Sequence, residues 1–166
     1  MTPEMPRAAF AAAIADATSP AAAYGALHAL ASALLPARLV TVTMLDRQNM
    51  LARRVYTSDA VAYPTTGTKP IIEDDWFRSI DTLRQTHISN DIANEKDDFA
   101  DYDLILSLGC QAIINLPVAL GGKVVATVNI LDAKGSYPAE IAPMVEDVLK
   151  PAAMLATAVA MLHAPA

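Results

Sequence analysis

The chain has 166 residues, 54% apolar and 18% charged, with a formal net charge of -6. This composition belongs to a globular chain, long enough for one domain (1–166) to bury a full core without staples, and not to a disordered one. The twelve Lys and Arg are scattered and form no basic stripe, which argues against nucleic acid as a partner; the single cysteine, Cys110, excludes an internal disulfide framework and suits a reducing cytoplasm.

The opening stretch MPRAAFAAAIADA has a lone Arg, an Ala-rich run and Ala15-Asp16-Ala17, all features of a leader. Glu4 and Asp16 flank the run, however, and Phe10 and Ile14 sit four apart, as one helix face requires. The stretch therefore reads as a helix. Thr2-Pro3-Glu4 and Ser19-Pro20 each read as an N-cap followed by proline at the first helical position. The second helix presents Tyr24, Leu27, His28, Leu30, Leu34 and Leu35, and Pro36 ends it, so 1–36 holds the N-terminal helices. RLVTVTML alternates with period two, and LARRVYTS follows after Asp46-Arg47-Gln48-Asn49, which predicts a hairpin. Asp59 to Ile72 has no periodicity and reads as a loop. DDWFRSIDTLRQ predicts a helix capped by Asp74 or Asp75, with Trp76, Ile80 and Leu83 inward. ISNDIANEKDDFADYDLILSLG is acidic and partly irregular, closing in a short apolar helix that Gly109 is suited to cap in the left-handed conformation. Its acidic run lacks the glycine and spacing of a calcium loop and reads as a solvated flap. Two strands joined by Gly121-Gly122 form a second hairpin. A long helix over 138–164 follows, with Ile141, Val145, Val148, Leu149, Ala152, Leu155, Ala156 and Val159 as its stripe and a kink expected at Pro151. No uninterrupted apolar run reaches the roughly 20 residues of a membrane span. The order of elements predicts one α+β domain.

Strand parity then singles out one face of the sheet. In KVVATVNIL, Val125, Thr127, Asn129 and Leu131 oppose Val124, Ala126, Val128 and Ile130. In AIINLPV, Ile113, Asn115 and Pro117 oppose Ile114, Leu116 and Val118; Thr41 and Thr43 oppose Val40, Val42 and Met44. Arg54, Tyr56 and Ser58 form a similarly polar set. Each strand thus has a greasy face for the helices and a face studded with small polar groups. That second face either meets water or lies beneath the apolar residues of the intervening segments, among them Trp76, Phe77, Phe99 and Ile105. A polar-studded face under an apolar cap outlines a binding cavity. A ligand, an ordered water or each other would then satisfy the amides of Asn115 and Asn129.

The run SLGCQAIINLPVALGGKVVATVNIL resembles a GAF domain: a short helix, a glycine, a strand reaching Leu116-Pro117-Val118, a glycine turn, and a strand that precedes a long helix. AYPTTGTKPI, DDW and FADYDLILSLG resemble stand-alone bacterial GAF proteins, and the likeness covers nearly the whole chain. It implies a GAF-like, PAS-related fold: a central antiparallel sheet with terminal helices on one face and a cap of loops and short helices over a pocket on the other. It also implies sensing of a small organic ligand, and a homodimer through the terminal helices.

The pocket residues expected from parity and position are Asn115, Asn129, Thr127, Thr43, Tyr56, Tyr63, Lys69 and Trp76. Lys69 is suited to neutralise a carboxylate or phosphate, or is simply a solvated loop lysine. The leading expectation is a cytoplasmic regulatory module without catalysis, cofactor or metal, acting as a dimer or through a partner protein. One rival is an enzyme in the same pocket, such as a Cys110-dependent methionine sulfoxide reductase; that chemistry usually needs a second, resolving thiol. The other is a dimerisation scaffold with a vestigial pocket. Chromophore attachment beside a histidine does not match, because Gln111 follows Cys110.

Overall fold

Among the described residues six strands, β1 (Leu39–Asp46), β2 (Leu51–Thr57), β3 (Thr68–Pro70), β4 (His87–Ser89), β5 (Ala112–Leu120) and β6 (Lys123–Asp132), form one sheet in the order β3-β2-β1-β6-β5-β4. Every neighbouring pair is antiparallel. A computed structural model describes residues 4–99 and 101–165. The β5–β6 turn is made by Gly121 at φ +58° and Gly122 at φ +84°. Positive φ at both central residues is what a two-residue type I′ hairpin requires.

Two strands were not expected from the sequence. β3 lies inside the stretch read as a loop, and β4 opens the acidic segment. Each has three residues, too few for alternation to register, and each is an edge. Pro70 is tolerated in β3 because an edge strand leaves one side of its backbone unpaired.

The apolar face of the sheet is covered by α2 (Pro20–Leu34) and α6 (Lys150–Leu162), which pack on each other, while α1 (Glu4–Ala15) packs on α2. Phe10 and Ile14 of α1 are buried in the core shared by Tyr24, Leu27, Leu30, Val40, Val42, Ile114, Leu116, Val128 and Ile130. Ser19 caps α2 by accepting the Ala22 N–H at 3.1 Å, with Pro20 in the first turn. The cap expected at Thr2-Pro3 lies outside the described residues. On the other face lie α3 (Asp75–Asp81), capped by Asp74, and α4 (Tyr102–Ser107). Because α3 ends at Asp81, Leu83 is 57% exposed and not inward.

The C-terminal helical run also departs from expectation, for one identifiable reason. It passes through α5 (Ala142–Met144), then a π turn over Val145–Leu149 where the Lys150 N–H reaches the Val145 carbonyl, and then α6. A proline ring clashes with the carbonyl four residues back, so a wider turn just before Pro151 accommodates it. The inserted residue shifts the buried face downstream: Ala152 and Ala156 of the expected stripe stay buried, but the face turns toward the next residue along. Ala153, Thr157 and Ala160 are buried, whereas Leu155 is 46% exposed.

Beneath α2, His28 Nδ1 stands 3.0 Å from the Tyr56 hydroxyl. Burial holds the imidazole below its ordinary pKa and the phenol above its own, so a neutral ring and a neutral phenol share this hydrogen bond. Below the ordinary value near 6.5 the unfolded chain therefore takes up a proton that the folded chain resists. The stability His28 contributes is complete above that pH and is lost as pH falls beneath it. Denaturant unfolding between pH 7.5 and 5 should show stability declining, and His28→Gln should reduce that slope while retaining a hydrogen-bonding side chain.

Candidate functional site

The register of the sheet builds the floor of the site. Thr41 pairs with Asn129, Asn129 with Asn115, and Asn115 with His87, giving one polar row across four strands. The adjoining row is Arg54, Thr43, Thr127 and Pro117. On the other side Leu39, Leu131 and Ile113 align and belong to a second core with Tyr63, Ile92, Phe99, Ile105 and Cys110. α3, the chain from Tyr63 to Ile72, Phe99 and α4 close over this floor and leave a cavity of about 360 Å³. That volume lies at the small end of sites for small organic molecules.

Seven of the eight residues expected from the sequence line the cavity: Thr43, Tyr63, Lys69, Trp76, Asn115, Thr127 and Asn129. Tyr56 does not. The β1–β2 register slips between Val42 and Thr43, so Val42 faces Tyr56 while Thr43 faces Arg54, and Val55 is the extra residue. A bulge of one residue reverses the alternation. It sends Arg54 to the cavity and Tyr56 to the helical side, where its ring packs against Tyr24 and His28.

The two asparagines bond to each other. Asn115 Nδ2 donates to Asn129 Oδ1 at 2.8 Å, and Asn129 Nδ2 donates to Thr41 Oγ1 at 3.1 Å. This chain satisfies Asn129 and leaves Asn115 Oδ1 buried without a partner among the described residues.

A charged cluster sits at the far end of the floor. The Arg54 side chain is 11% exposed, its guanidinium carbon lies 3.6 Å from the centre of the Tyr63 ring, and Nη1 donates to the Pro64 carbonyl at 2.7 Å. Gly67 makes room for it, since a Cβ there would fall 3.0 Å from Nη1. The carboxylate of Asp101, just ahead of α4, accepts from the Tyr63 hydroxyl and from Lys69 Nζ, each at 2.5 Å, and lies 3.5 Å from Arg54 Nη2. Burial pushes this carboxyl up, but the hydrogen bonds from Lys69 and Tyr63 and the charges of Lys69 and Arg54 together hold it below its usual range. The same burial and the neighbouring carboxylate push the Tyr63 phenol up, so it remains a donor. Two further buried donors, Arg54 Nε and Trp76 Nε1, have no partner among the described residues.

Arg54, Thr41 and Asp101 were missing from the expected set. Thr41 could have been included from its parity. Arg54 was visible in the polar set of its strand, and the bulge beside it was not. Asp101 was hidden in an acidic run that reads as solvated.

Two other groups carry no catalytic arrangement. Cys110 is fully buried in the cap-side core and does not line the cavity. Its position follows from the helix stop before it: Gly109, at φ +75°, bonds back to Leu106 while the Cys110 N–H reaches Ile105. Burial pushes the thiol pKa up to about 11, so it stays protonated near neutrality. Glu95 accepts from the Ser89 hydroxyl and lies 2.6 Å from His87 Nε2. Serine and histidine both address the carboxylate and not each other, which is not a nucleophile–base pair.

No protein-family model and no curated protein matches the sequence. Solved structures do. The GAF domain of an Acinetobacter phosphoenolpyruvate-protein phosphotransferase superposes with a TM-score of 0.72 at 13% identity, covering 98% of this chain and 97% of that one. The GAF domain of a two-component sensor histidine kinase from Bacillus halodurans gives 0.70 at 13% identity, covering 89% and 99%. Residues 122 to 287 of a methyl-accepting chemotaxis protein give 0.67 at 18% identity, covering 93% and 94%. Identities this low carry the fold alone, and the fold is that of a GAF domain.

The hydrogen-bond chain predicts an asymmetry between two mutants. Asn129→Val removes the acceptor of Asn115 and the donor to Thr41, stranding two buried groups at roughly 1–3 kcal/mol each. Asn115→Val strands only Asn129 Oδ1 and removes an oxygen that already lacks a partner. Thermal unfolding should show Asn129→Val as the more damaging change, with a melting temperature lower by several degrees.

Proposed function

We propose that this GAF-fold chain is a sensory or regulatory module that binds a small organic molecule in the capped cavity and performs no chemistry on it. The observation that carries this reading is a set of buried groups on cavity-lining side chains that have no partner among the described residues: Asn115 Oδ1, Trp76 Nε1 and Arg54 Nε. Native proteins leave few such atoms, and each costs on the order of 1–3 kcal/mol when nothing fills the space beside it. An occupant with complementary atoms removes that cost and gains affinity from it. Asn115, Asn129, Thr43 and Thr127 supply the floor, Trp76 a wall, and Tyr63, Lys69 and Arg54 the charged end. Tyr56 has no part in it.

Relatives in fold are named as parts of a sensor histidine kinase and a chemotaxis protein, which accords with a signalling role. Output through a homodimer fits the surface of α6, where Met154, Leu155, Met161 and Leu162 are exposed along one stripe. Among the described residues no helix is long and apolar enough to cross a membrane. An unpaired, unreactive thiol accords with a cytoplasmic setting.

Screening wild-type protein by thermal shift against a charge-diverse metabolite library tests the reading. At least one compound should stabilise it, and Trp76→Leu should abolish the gain. A library without a single such compound overturns the proposal in favour of a scaffold with a vestigial pocket. Sedimentation at micromolar concentration should show a dimer that Leu155→Glu dissociates.

Cys110 gives a separate expectation. With a pKa of about 11, only about one thiol in ten thousand is ionised near pH 7. Cys110→Ala should leave ligand affinity within a few-fold of wild type, and the native thiol should react with alkylating reagents only as fast as the protein opens.

A further inference from the structure

The ligand's chemical class can be read from the charged end of the cavity; this step rests on the sensing role proposed above. We infer that the site takes a small organic monoanion, a carboxylate on an apolar body, with the carboxylate at Arg54 and Lys69. Arg54 Nε and Trp76 Nε1, on two side chains that line the cavity, have no partner among the described residues and can only donate. An occupant that carries acceptors suits this lining, and a cationic or donor-only ligand does not.

Charge sets the number of negative groups. Arg54 and Lys69 share one carboxylate, that of Asp101, so the cluster retains one excess positive charge. Arg54 is nearly buried and already holds three fixed contacts: Pro64 O, the Tyr63 ring and Asp101. It is therefore oriented before any ligand arrives, with its Nε–H unpartnered among the described residues. Asp74, Asp97 and Asp98 also line the cavity; all three are exposed, so salt screens them and they weaken the attraction without removing it. They do disfavour a second negative charge, which selects a monoanion over a phosphate dianion. The rest of the lining, with Phe77, Ile80, Phe99 and Leu131, is apolar and fits a hydrocarbon or aromatic body.

The test uses matched sets built on the same apolar bodies (butyl, hexyl, phenylethyl and indolylmethyl), each as carboxylate, primary amide and amine. Affinity is read by calorimetry and by ligand-observed NMR on the full chain, alongside the library screen. At least one carboxylate should bind at least about ten-fold more tightly than its amide, its amine should not bind, and its affinity should fall with added salt. Arg54→Gln should erase the preference for acid over amide. Because Arg54 also braces the cap, Trp76→Phe serves as a second variant; it keeps the ring, loses the N–H and should weaken carboxylate binding several-fold. Amides or amines binding as well as acids would overturn the monoanion inference, as would acids indifferent to both substitutions. Library compounds that bind while every carboxylate fails would overturn it too and leave the sensing role standing. Silence from both collections would overturn both.

Discussion

The whole site depends on the antiparallel register of β1, β6 and β5. Aligning Thr41, Asn129 and Asn115 puts three polar side chains in one row on one face, within hydrogen-bonding reach of each other. A slip of one residue in either pairing would turn an asparagine into the helical core and expose valine or isoleucine to the cavity. The greasy face forbids that slip, because Val42, Val128 and Leu116 are needed beneath α2 and α6. Packing on one side of the sheet thus holds the polar floor on the other.

The roof is held differently. Leu39, Ile113 and Leu131 anchor it through a second apolar core shared with Phe99 and Ile105, while Asp101 ties the start of α4 to β2 and β3 through Arg54 and Lys69. The first attachment is non-directional and tolerates small shifts of the cap. The second is directional and placed at the ligand's end of the cavity. A carboxylate arriving at Arg54 and Lys69 therefore meets the same cations that restrain α4, which links occupancy to the position of the cap in physical terms.

Much of this was legible in the sequence because it rests on short-range periodicity. The two hairpins, the Ser19 cap, the Gly109 stop and the parity of Thr43, Thr127, Asn115 and Asn129 all follow from rules that act within a few residues. Two of the misplaced residues, Tyr56 and Leu155, trace to single-residue insertions that periodicity cannot reveal. Val55 bulges and reverses β2, which splits the polar set of that strand, keeping Arg54 at the cavity and turning Tyr56 away. The π turn before Pro151 rotates α6 and exchanges Ala153 and Thr157 for Leu155 in the core. In each case composition gives no warning, because both candidate residues suit either environment. β3 and β4 escaped notice because three-residue edge strands are defined by their partners. Asp101 escaped because an ion pair across 47 residues from Arg54 leaves no trace in local sequence.

The chain of bonds from Asn115 through Asn129 to Thr41 has a direction, and nothing in its shape fixes that direction. An amide turned end over end keeps its outline while exchanging oxygen for nitrogen, and a hydroxyl both gives and accepts. Reversed, Thr41 donates to Asn129, Asn129 donates to Asn115, and the free atom at the end of the row becomes an N–H in place of a carbonyl oxygen. One rotation of three side chains thus converts the floor from acceptor to donor without moving the backbone. Arg54 and Trp76 have no such freedom. The cavity pairs a wall of fixed polarity with a floor of switchable polarity, so it can be strict about one end of its occupant and indifferent to the hydrogen-bonding sense of the other.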